Sequence, residues 1–335
     1  MNSSGQFVMV SSPLIYDLAE DINKRLVEMK MKMPHYKIEY DKFHSGEFLP
    51  HIPQTIRRQE VFLLHELQYP NPNEEIIKLL LTCNALRLAS VERIILVLPF
   101  ISYMRQDRKH KERVPISAKM IAELIELNRS VAQLITIDLH NEQEQGFFSI
   151  PVDNLFGWSL FSEHMLNRIG GDTNSVVVIA ADNGATKRTD RLCEALGDDV
   201  PYRIYDKKRT TPNQSKILSS SGDEVAGKRA VIYEDMIDTG GTILNLGRDL
   251  KSAGATQIDI YATHGIFSKN AEEKFANEDF SIFVTDSIPR PPEYYEKNKS
   301  WLTKISIADY FAHTIFEATQ RGGSISKLHS KKKVK

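Results

Sequence analysis

The segment Val231–Thr242, VIYEDMIDTGGT, runs from an apolar strand pattern into the carboxylates Glu234, Asp235 and Asp238, then into Thr239-Gly240-Gly241-Thr242, which opens a helical pattern. Glycines let a backbone turn tightly and bring its N–H groups close to a ligand. The N-terminus of the helix that follows favours an anion there, and Thr239 and Thr242 add hydroxyl donors. The neighbouring acids repel a phosphate, so they suit ribose hydroxyls or a metal ion. The bland alternative is a Gly-rich turn with a solvated acidic rim. The order of strand, acid pair and DTGGT argues against it.

Three further constellations sit at comparable places. Arg105, Gln106, Asp107, Arg108 and Lys109 follow an apolar strand pattern ending at Leu98 and a Pro99-Phe100 turn. A charge run is commonly a solvated face, but strand ends are also where α/β proteins bind phosphates. His140 stands just past another strand pattern, in Asp138-Leu139-His140, and Asp182 holds the equivalent exit of the strand pattern at 176–180. Together an imidazole and a carboxylate can take a Mg2+–triphosphate, although Mg2+ prefers oxygen. Asp206–Arg209, DKKR, follows the strand pattern Tyr202–Tyr205 and reads as an exposed basic turn.

The elements that must position these residues alternate along the chain. Short apolar, β-branched runs are expected as strands near residues 8–10, 36–40, 61–65, 94–98, 134–138, 176–180, 230–234, 258–262, 280–284 and 304–307. Amphipathic patterns over 14–29, 73–89, 117–127, 160–168, 185–196, 242–253 and 307–319 predict the helices between them. The alternation argues for an α/β fold with mostly parallel sheets, which bind ligands at the carboxyl ends of their strands. The two halves have similar strand and helix content, which suits a duplicated unit. Pro151–Gly157 reads as the linker, 213–222 as a mobile Ser-rich excursion, Arg290–Lys299 as a surface loop and Ser324–Lys335 as a basic, solvated tail.

The segment at 231–242 resembles the phosphoribosyl-pyrophosphate loop of type I phosphoribosyltransferases. Leu98–Lys119 (LPFISYMRQDRKHKERVPISAK), Ile137–Asn154 (IDLHNEQEQGFFSIPVDN), Ala181–Arg188 (ADNGATKR) and Thr263–Phe267 (THGIF) narrow the resemblance to the ribose-phosphate pyrophosphokinases, in family order over nearly the whole chain. The resemblance implies two type I phosphoribosyltransferase-like α/β domains, an ATP-binding one over 1–155 and a ribose-phosphate-binding one over 156–323, with 324–335 as a disordered tail. It implies that Phe43, Ser45, Glu47, Arg105, Gln106, Asp107 and His140 contact ATP, and that His140 and Asp182 hold Mg2+. Glu234, Asp235, Asp238, Thr239, Gly240, Gly241 and Thr242 would take the ribose phosphate, and Lys207 and Arg209 would stabilise the transition state from a mobile loop. Phe43–Glu47 would reach the ATP of a neighbouring subunit, which makes the protein a homo-oligomer, a dimer or hexamer.

Two departures stand against the family pattern: Ser45 where an Asp or Asn is usual, and Asp286 where an Asn is usual. They motivate a rival acceptor, ADP-ribose in an NAD salvage route, in place of ribose 5-phosphate. A second rival is a non-catalytic protein that regulates the enzyme, and the intact acid-rich loop, His140, Asp182, Lys207 and Arg209 speak against it. The 335 residues carry 43 Lys and Arg against 44 Asp and Glu, so no global positive field gathers nucleic acid. Two cysteines within apolar helical patterns exclude a disulfide scaffold. No secretory leader pattern or membrane-length apolar run is read, which points to the cytoplasm.

Overall fold

Apolar runs of four to seven residues become the inner strands of two parallel sheets, and both faces of each sheet are covered, which is why those runs are continuous rather than alternating. The computed structural model describes residues 6–197, 200–205 and 225–326. In chain order the first half holds β1 (Phe7–Ser11), α1 (Tyr16–Glu28), β2 (His35–Lys37), β3 (Glu39–Lys42), β4 (Phe48–His51), β5 (Glu60–Leu64), α2 (Pro72–Leu88), β6 (Arg93–Val97), α3 (Ser117–Glu126), β7 (Val131–Ile137) and β8 (Val152–Leu155). The second half holds α4 (Gly157–Arg168), β9 (Val176–Ala180), α5 (Thr186–Leu196), β10 (Tyr202–Ile204), β11 (Arg229–Ile237), α6 (Gly241–Ser252), β12 (Gln257–Gly265), α7 (Ala271–Ala276), β13 (Phe280–Thr285), α8 (Pro292–Asn298), β14 (Leu302–Ile305) and α9 (Ala308–Thr319).

The strand orders are β2-β1-β5-β6-β7-β8 and β10-β9-β11-β12-β13-β14. Each of these two sheets is six-stranded and runs second, first, third, fourth, fifth, sixth, counting its own strands, with parallel pairing within it, while β3 and β4 form a separate antiparallel pair. The order reverses between first and third strand, at β1/β5 in one sheet and β9/β11 in the other. A crevice at the carboxyl ends of the strands opens at such a reversal. The protein is therefore an α/β fold of two such units, each a parallel sheet flanked by helices.

Alternate strand residues feed different layers. In the first sheet Val8, Val10, Val61, Leu63, Ile94 and Leu96 pack with Leu79, Cys83 and Leu86 of α2 and Ile121 and Ile125 of α3. In the second sheet Val177, Ile179 and Ile232 pack with Leu246 and Leu250 of α6, while Val176, Val178 and Val231 pack with Phe161 and Met165 of α4 and Leu192 of α5. Each fully buried aliphatic side chain contributes roughly 1.5–3 kcal/mol of transfer free energy. Cys83 and Cys193 are free, buried members of these layers, and burial pushes both thiols up to about 12.

Three expectations change. Pro151–Gly157 is not a linker: Val152–Leu155 is the sixth strand of the first sheet, with Leu134 paired to Val152 and Ile137 to Leu155. Its polar residues disguise it, and both are engaged: Gln133 Nε2 donates to Asp153 Oδ2 at 2.5 Å, and Asn154 Oδ1 accepts from Leu139 N at 3.1 Å. Arg290–Lys299 contains α8, started by Pro292 in its first turn and held by Tyr294 and Tyr295 against the core of the second sheet. Among the described residues, one compact unit comprises 6–155, 287–289 and 307–326, and the other lies within 156–286 and 290–306. A division at residue 155 by sequence order therefore misplaces α9. Its buried residues Phe311, Ala312 and Ile315 belong to the first unit, where α9 packs on α1.

Candidate active site

In the second unit the acid pair lies inside β11, which continues to Ile237 rather than stopping at Glu234. Pairing with β12 runs to Ile237, but pairing with β9 stops at Ile232, so Glu234 and Asp235 stand on an open strand edge. Consecutive strand residues point to opposite faces. Even so, Arg188 Nη1, from the first turn of α5, lies 3.4 Å from Glu234 Oε2 and 3.4 Å from Asp235 Oδ1. The guanidinium also lies 5.9 Å from the centre of the Tyr233 ring. Asp235 is buried at 5% exposure, and Glu234 is half-buried.

The chain then turns. Asp238 accepts from Ser268 Oγ, and its carbonyl accepts from Ser268 N at 3.1 Å. Gly240 has φ 71°, and a Cβ there would meet the Phe275 ring at 2.6 Å, so only glycine fits. Gly241, by contrast, faces open space and has no left-handed φ, so of the two glycines the conformational need lies at Gly240. No side chain caps α6, and Gly241 and Thr242 are exposed. An uncapped helix start presents backbone donors and a positive dipole end to an anion. Asp182, exposed at the end of β9, accepts from Ala185 N at 3.0 Å through Oδ1. β9 and β11 are the strands of the reversal, so Asp182, Arg188, Glu234 and the 238–242 loop all belong to segments at the carboxyl ends of those two strands.

In the first unit the expected nucleotide residues lie at three places. Gln106 and Asp107 follow β6. Ser117 Oγ donates to Gln106 Oε1 at 2.8 Å, anchoring the loop to the start of α3. Asn141 Nδ2 donates to Asp107 Oδ2 at 2.9 Å, which joins this loop to the one after β7 that carries His140. Asp138 has φ 45° and turns the chain out of β7, leaving His140 exposed. Asn154 supports the turn from below, accepting from Leu139 N. Arg105 is exposed on the same loop. The third place is the β3–β4 hairpin: Phe43 N donates to Glu47 O at 2.9 Å, Gly46 has φ 95°, and Phe43 at the tip is 53% exposed. Ser45 Oγ donates to Glu47 Oε2 at 2.6 Å, so these two polar side chains hold each other.

Lys207 and Arg209, with the rest of 206–224, lie outside the described residues, as does the Lys-rich end of the tail. Asp286 follows β13 and is buried, with Lys304 Nζ of β14 at 3.9 Å from its Oδ2. It faces a neighbouring strand's lysine and Tyr295, whose hydroxyl is raised by burial first and by Asp286 second. Sequence reasoning missed Arg188, Asn154, Asn141 and Ser268. Arg188, Asn141 and Asn154 lie within the quoted ADNGATKR and IDLHNEQEQGFFSIPVDN stretches, so their signal was motif membership without an evident role.

An acid-edged strand, a left-handed glycine and an uncapped helix at a sheet reversal, on twin parallel sheets, define a phosphoribosyltransferase-type α/β protein. Residues 7–128 match the family described as the N-terminal domain of ribose phosphate pyrophosphokinase, and 159–297 match the phosphoribosyl transferase domain. The chain is 37% identical to a ribose-phosphate pyrophosphokinase of Thermotoga maritima over 278 residues, 83% of this chain and 85% of that one. It is 38% identical to one of Vibrio parahaemolyticus over 276 residues, covering 82% and 85%. A solved phosphoribosylpyrophosphate synthetase from Mycobacterium smegmatis superposes with TM-score 0.81 at 29% identity, covering 93% of this chain and 98% of that one. The chain belongs to the ribose-phosphate pyrophosphokinase family and is an enzyme of the diphosphokinase type. Among the described residues no helix is long and apolar enough to cross a membrane.

Proposed function

We propose that the enzyme transfers the β,γ-diphosphoryl group of ATP to the anomeric 1-hydroxyl of ribose 5-phosphate, giving 5-phosphoribosyl 1-pyrophosphate and AMP. The observation that carries this is the turn at Gly240, which opens α6 without a cap beside the Glu234–Asp235 edge. The backbone donors of 239–242 and the hydroxyls of Thr239 and Thr242 bind the 5-phosphate. Glu234 and Asp235 accept from the ribose 2- and 3-hydroxyls, which aims the 1-hydroxyl. In the first unit Arg105, Gln106, Asp107 and His140 bind the nucleotide. Phe43 stacks on the adenine of a neighbouring subunit, with Ser45 and Glu47 at the same tip, so the working unit is at least a dimer. The 1-hydroxyl oxygen attacks the β-phosphorus in line and its proton passes to solvent, the bond from that phosphorus to the α,β-bridging oxygen breaks, and AMP leaves. Lys207 and Arg209 supply positive charge where the transition state accumulates negative charge. Positioning supplies the remainder.

Mg2+ fits the residues expected to hold it. Among the described residues no group of three or more His, Cys, Asp or Glu forms a metal cage, and Mg2+ is commonly bound by one or two protein ligands plus substrate phosphates. Asp182 has one oxygen on Ala185 N and a second for a cation, and His140 is exposed. An ion held by either residue would neutralise triphosphate charge. The ADP-ribose alternative drew on Ser45 and Asp286, and both have local partners, Glu47 and Lys304. The test is AMP release and product mass with Mg-ATP and either acceptor. Ribose 5-phosphate should have the higher kcat/KM; a preference for ADP-ribose of more than tenfold, about 1.4 kcal/mol, replaces this reading with the alternative.

A further inference from the structure

We infer that Arg188 is a positioning residue that keeps the Glu234–Asp235 pair free of divalent metal, so that the pair meets the ribose hydroxyls directly. The inference rests on the reading above that this pair orients the ribose. Two carboxylates on adjacent residues at an open strand edge are an attractive seat for a divalent cation, which seeks several oxygen ligands. Here a single guanidinium nitrogen lies 3.4 Å from an oxygen of each. All three side chains are largely shielded, at 18% exposure for Arg188, 16% for Glu234 and 7% for Asp235. A guanidinium does not lose its proton in proteins and has no acceptor, so it occupies the cation's place permanently without becoming a ligand.

The geometry explains why an arginine does this from α5. The helix follows the loop that carries Asp182, and Arg188 lies within its first turn. β9 pairs with β11 only as far as Ile232, short of Glu234 and Asp235. Arg188 offsets one of the pair's two negative charges. Hydroxyl protons are still attracted to the pair, and the 5-phosphate bound at 239–242 is repelled less. A cation in the crevice is then directed to Asp182 and the substrate phosphates rather than to Glu234 and Asp235.

The experiment titrates Mn2+ into the nucleotide-free protein, following free Mn2+ by electron paramagnetic resonance, for wild type, Arg188→Met and Arg188→Lys. Thermal unfolding confirms that each variant is folded, and Arg188→Gln replaces Arg188→Met if that variant is not. The neutral variant should take up about one further Mn2+ per chain. Its KM for ribose 5-phosphate should rise about tenfold, more steeply as divalent metal increases, with kcat changing less. Arg188→Lys, which keeps the charge, should restore both. Equal Mn2+ uptake by wild type and the neutral variant overturns the inference, whatever happens to thermal stability. If wild type fails to use ribose 5-phosphate at all, the proposed reaction falls while the Mn2+ comparison still decides the role of Arg188.

Discussion

The third strands of the two sheets, β5 and β11, occupy the same place at the same topological reversal, yet the loops that leave them are opposites. After β5, Gln68 N and Tyr69 N donate to Glu66 Oε1 at 2.5 and 2.9 Å, and Asn71 caps α2 by accepting from Asn73 N at 3.1 Å. After β11 the loop has a glycine in the capping position and α6 stays uncapped. At the first reversal the protein's own carboxylate takes the backbone donors; at the second no side chain caps the start of α6. Other polar side chains near the first reversal are bonded within the protein as well. Ser11 Oγ donates to His35 Nε2 at 2.8 Å, and His35 Nδ1 donates to Glu20 at 2.5 Å. His65, fully buried, donates from Nδ1 to Glu66 O at 2.7 Å and accepts from Tyr40 at 3.1 Å. The topology thus makes two reversals, and in the function proposed above side-chain satisfaction separates the one that takes a ligand from the one that does not. The first unit moves its expected chemistry to the ends of its fourth and fifth strands, where the Asp107–Asn141 bond joins the two loops.

The largest effect should come from blocking the second reversal. Gly241 faces space, so Gly241→Val leaves the fold intact while its side chain stands where a phosphate must approach the backbone. Turnover should fall by at least about a hundredfold, with the melting temperature shifted by only a few degrees. Calorimetry with ribose 5-phosphate checks it: affinity within a factor of two of wild type would mean that the 239–242 loop does not hold the phosphate.

The first reversal is broken by acid. Burial lowers His65 to about 4 from an ordinary 6.5, with nearby Lys78 pushing the same way and the hydrogen bond to Glu66 opposing. A folded value below the unfolded one means the fold prefers the neutral ring. That stability is present in full above pH 6.5 and is lost as pH falls from 6.5 towards 4. It amounts to roughly 3 kcal/mol. Burial also lowers His35, which adds in the same direction. Denaturant unfolding at pH 7 and pH 4.5 should therefore show a marked loss in wild type, and a His65→Gln variant should show a smaller one. An unchanged pH slope in the variant would remove His65 from the account.

Asn154 sharpens the comparison at the fifth strands, and it shows where sequence reasoning ran out. Continuous β-branched runs such as Val176–Ala180 and Ile94–Val97 made the parallel sheets legible, because burial on both faces leaves no room for polar residues. β8 was not legible: VDNL has two polar residues in four, and only the tertiary partners Gln133 and Leu139 make them compatible with a sheet. DTGGT was legible as an anion loop, but which glycine is obligatory depends on the Phe275 ring, 35 residues away in sequence. Arg188 was hidden for the same reason, since its carboxylates lie on another strand. Asn154→Leu should leave Leu139 N without its acceptor and loosen the turn that presents His140. We expect about tenfold weaker ATP binding, near 1.4 kcal/mol, rescued by Asn154→Asp, which keeps the accepting oxygen. Lower thermal stability with unchanged ATP affinity would make Asn154 a core residue only.

The smallest effect belongs to the other fifth strand. Asp138 follows β7 and Asp286 follows β13, so the two aspartates hold equivalent positions in the two sheets. Asp138 takes a left-handed turn that delivers His140, with its N donating to Leu155 O at 2.9 Å. Asp286 instead faces Lys304 across β14 at 3.9 Å, and Lys304 lies 5.5 Å from the centre of the Tyr295 ring. Lys304 is 44% exposed, so the ion pair is screened and contributes about 1 kcal/mol or less. Loss of that ion pair in Asp286→Asn should therefore lower stability by no more than that. It should leave the ratio of kcat/KM for ribose 5-phosphate and ADP-ribose within a factor of two, because its carboxylate is directed at a neighbouring strand rather than at an acceptor. Steady-state AMP release with both acceptors, beside thermal unfolding, measures the two quantities together. A selective loss of ADP-ribose use would assign Asp286 to the acceptor channel. The fifth strand of the second sheet would then carry chemistry at its end, as the fifth strand of the first is proposed to do.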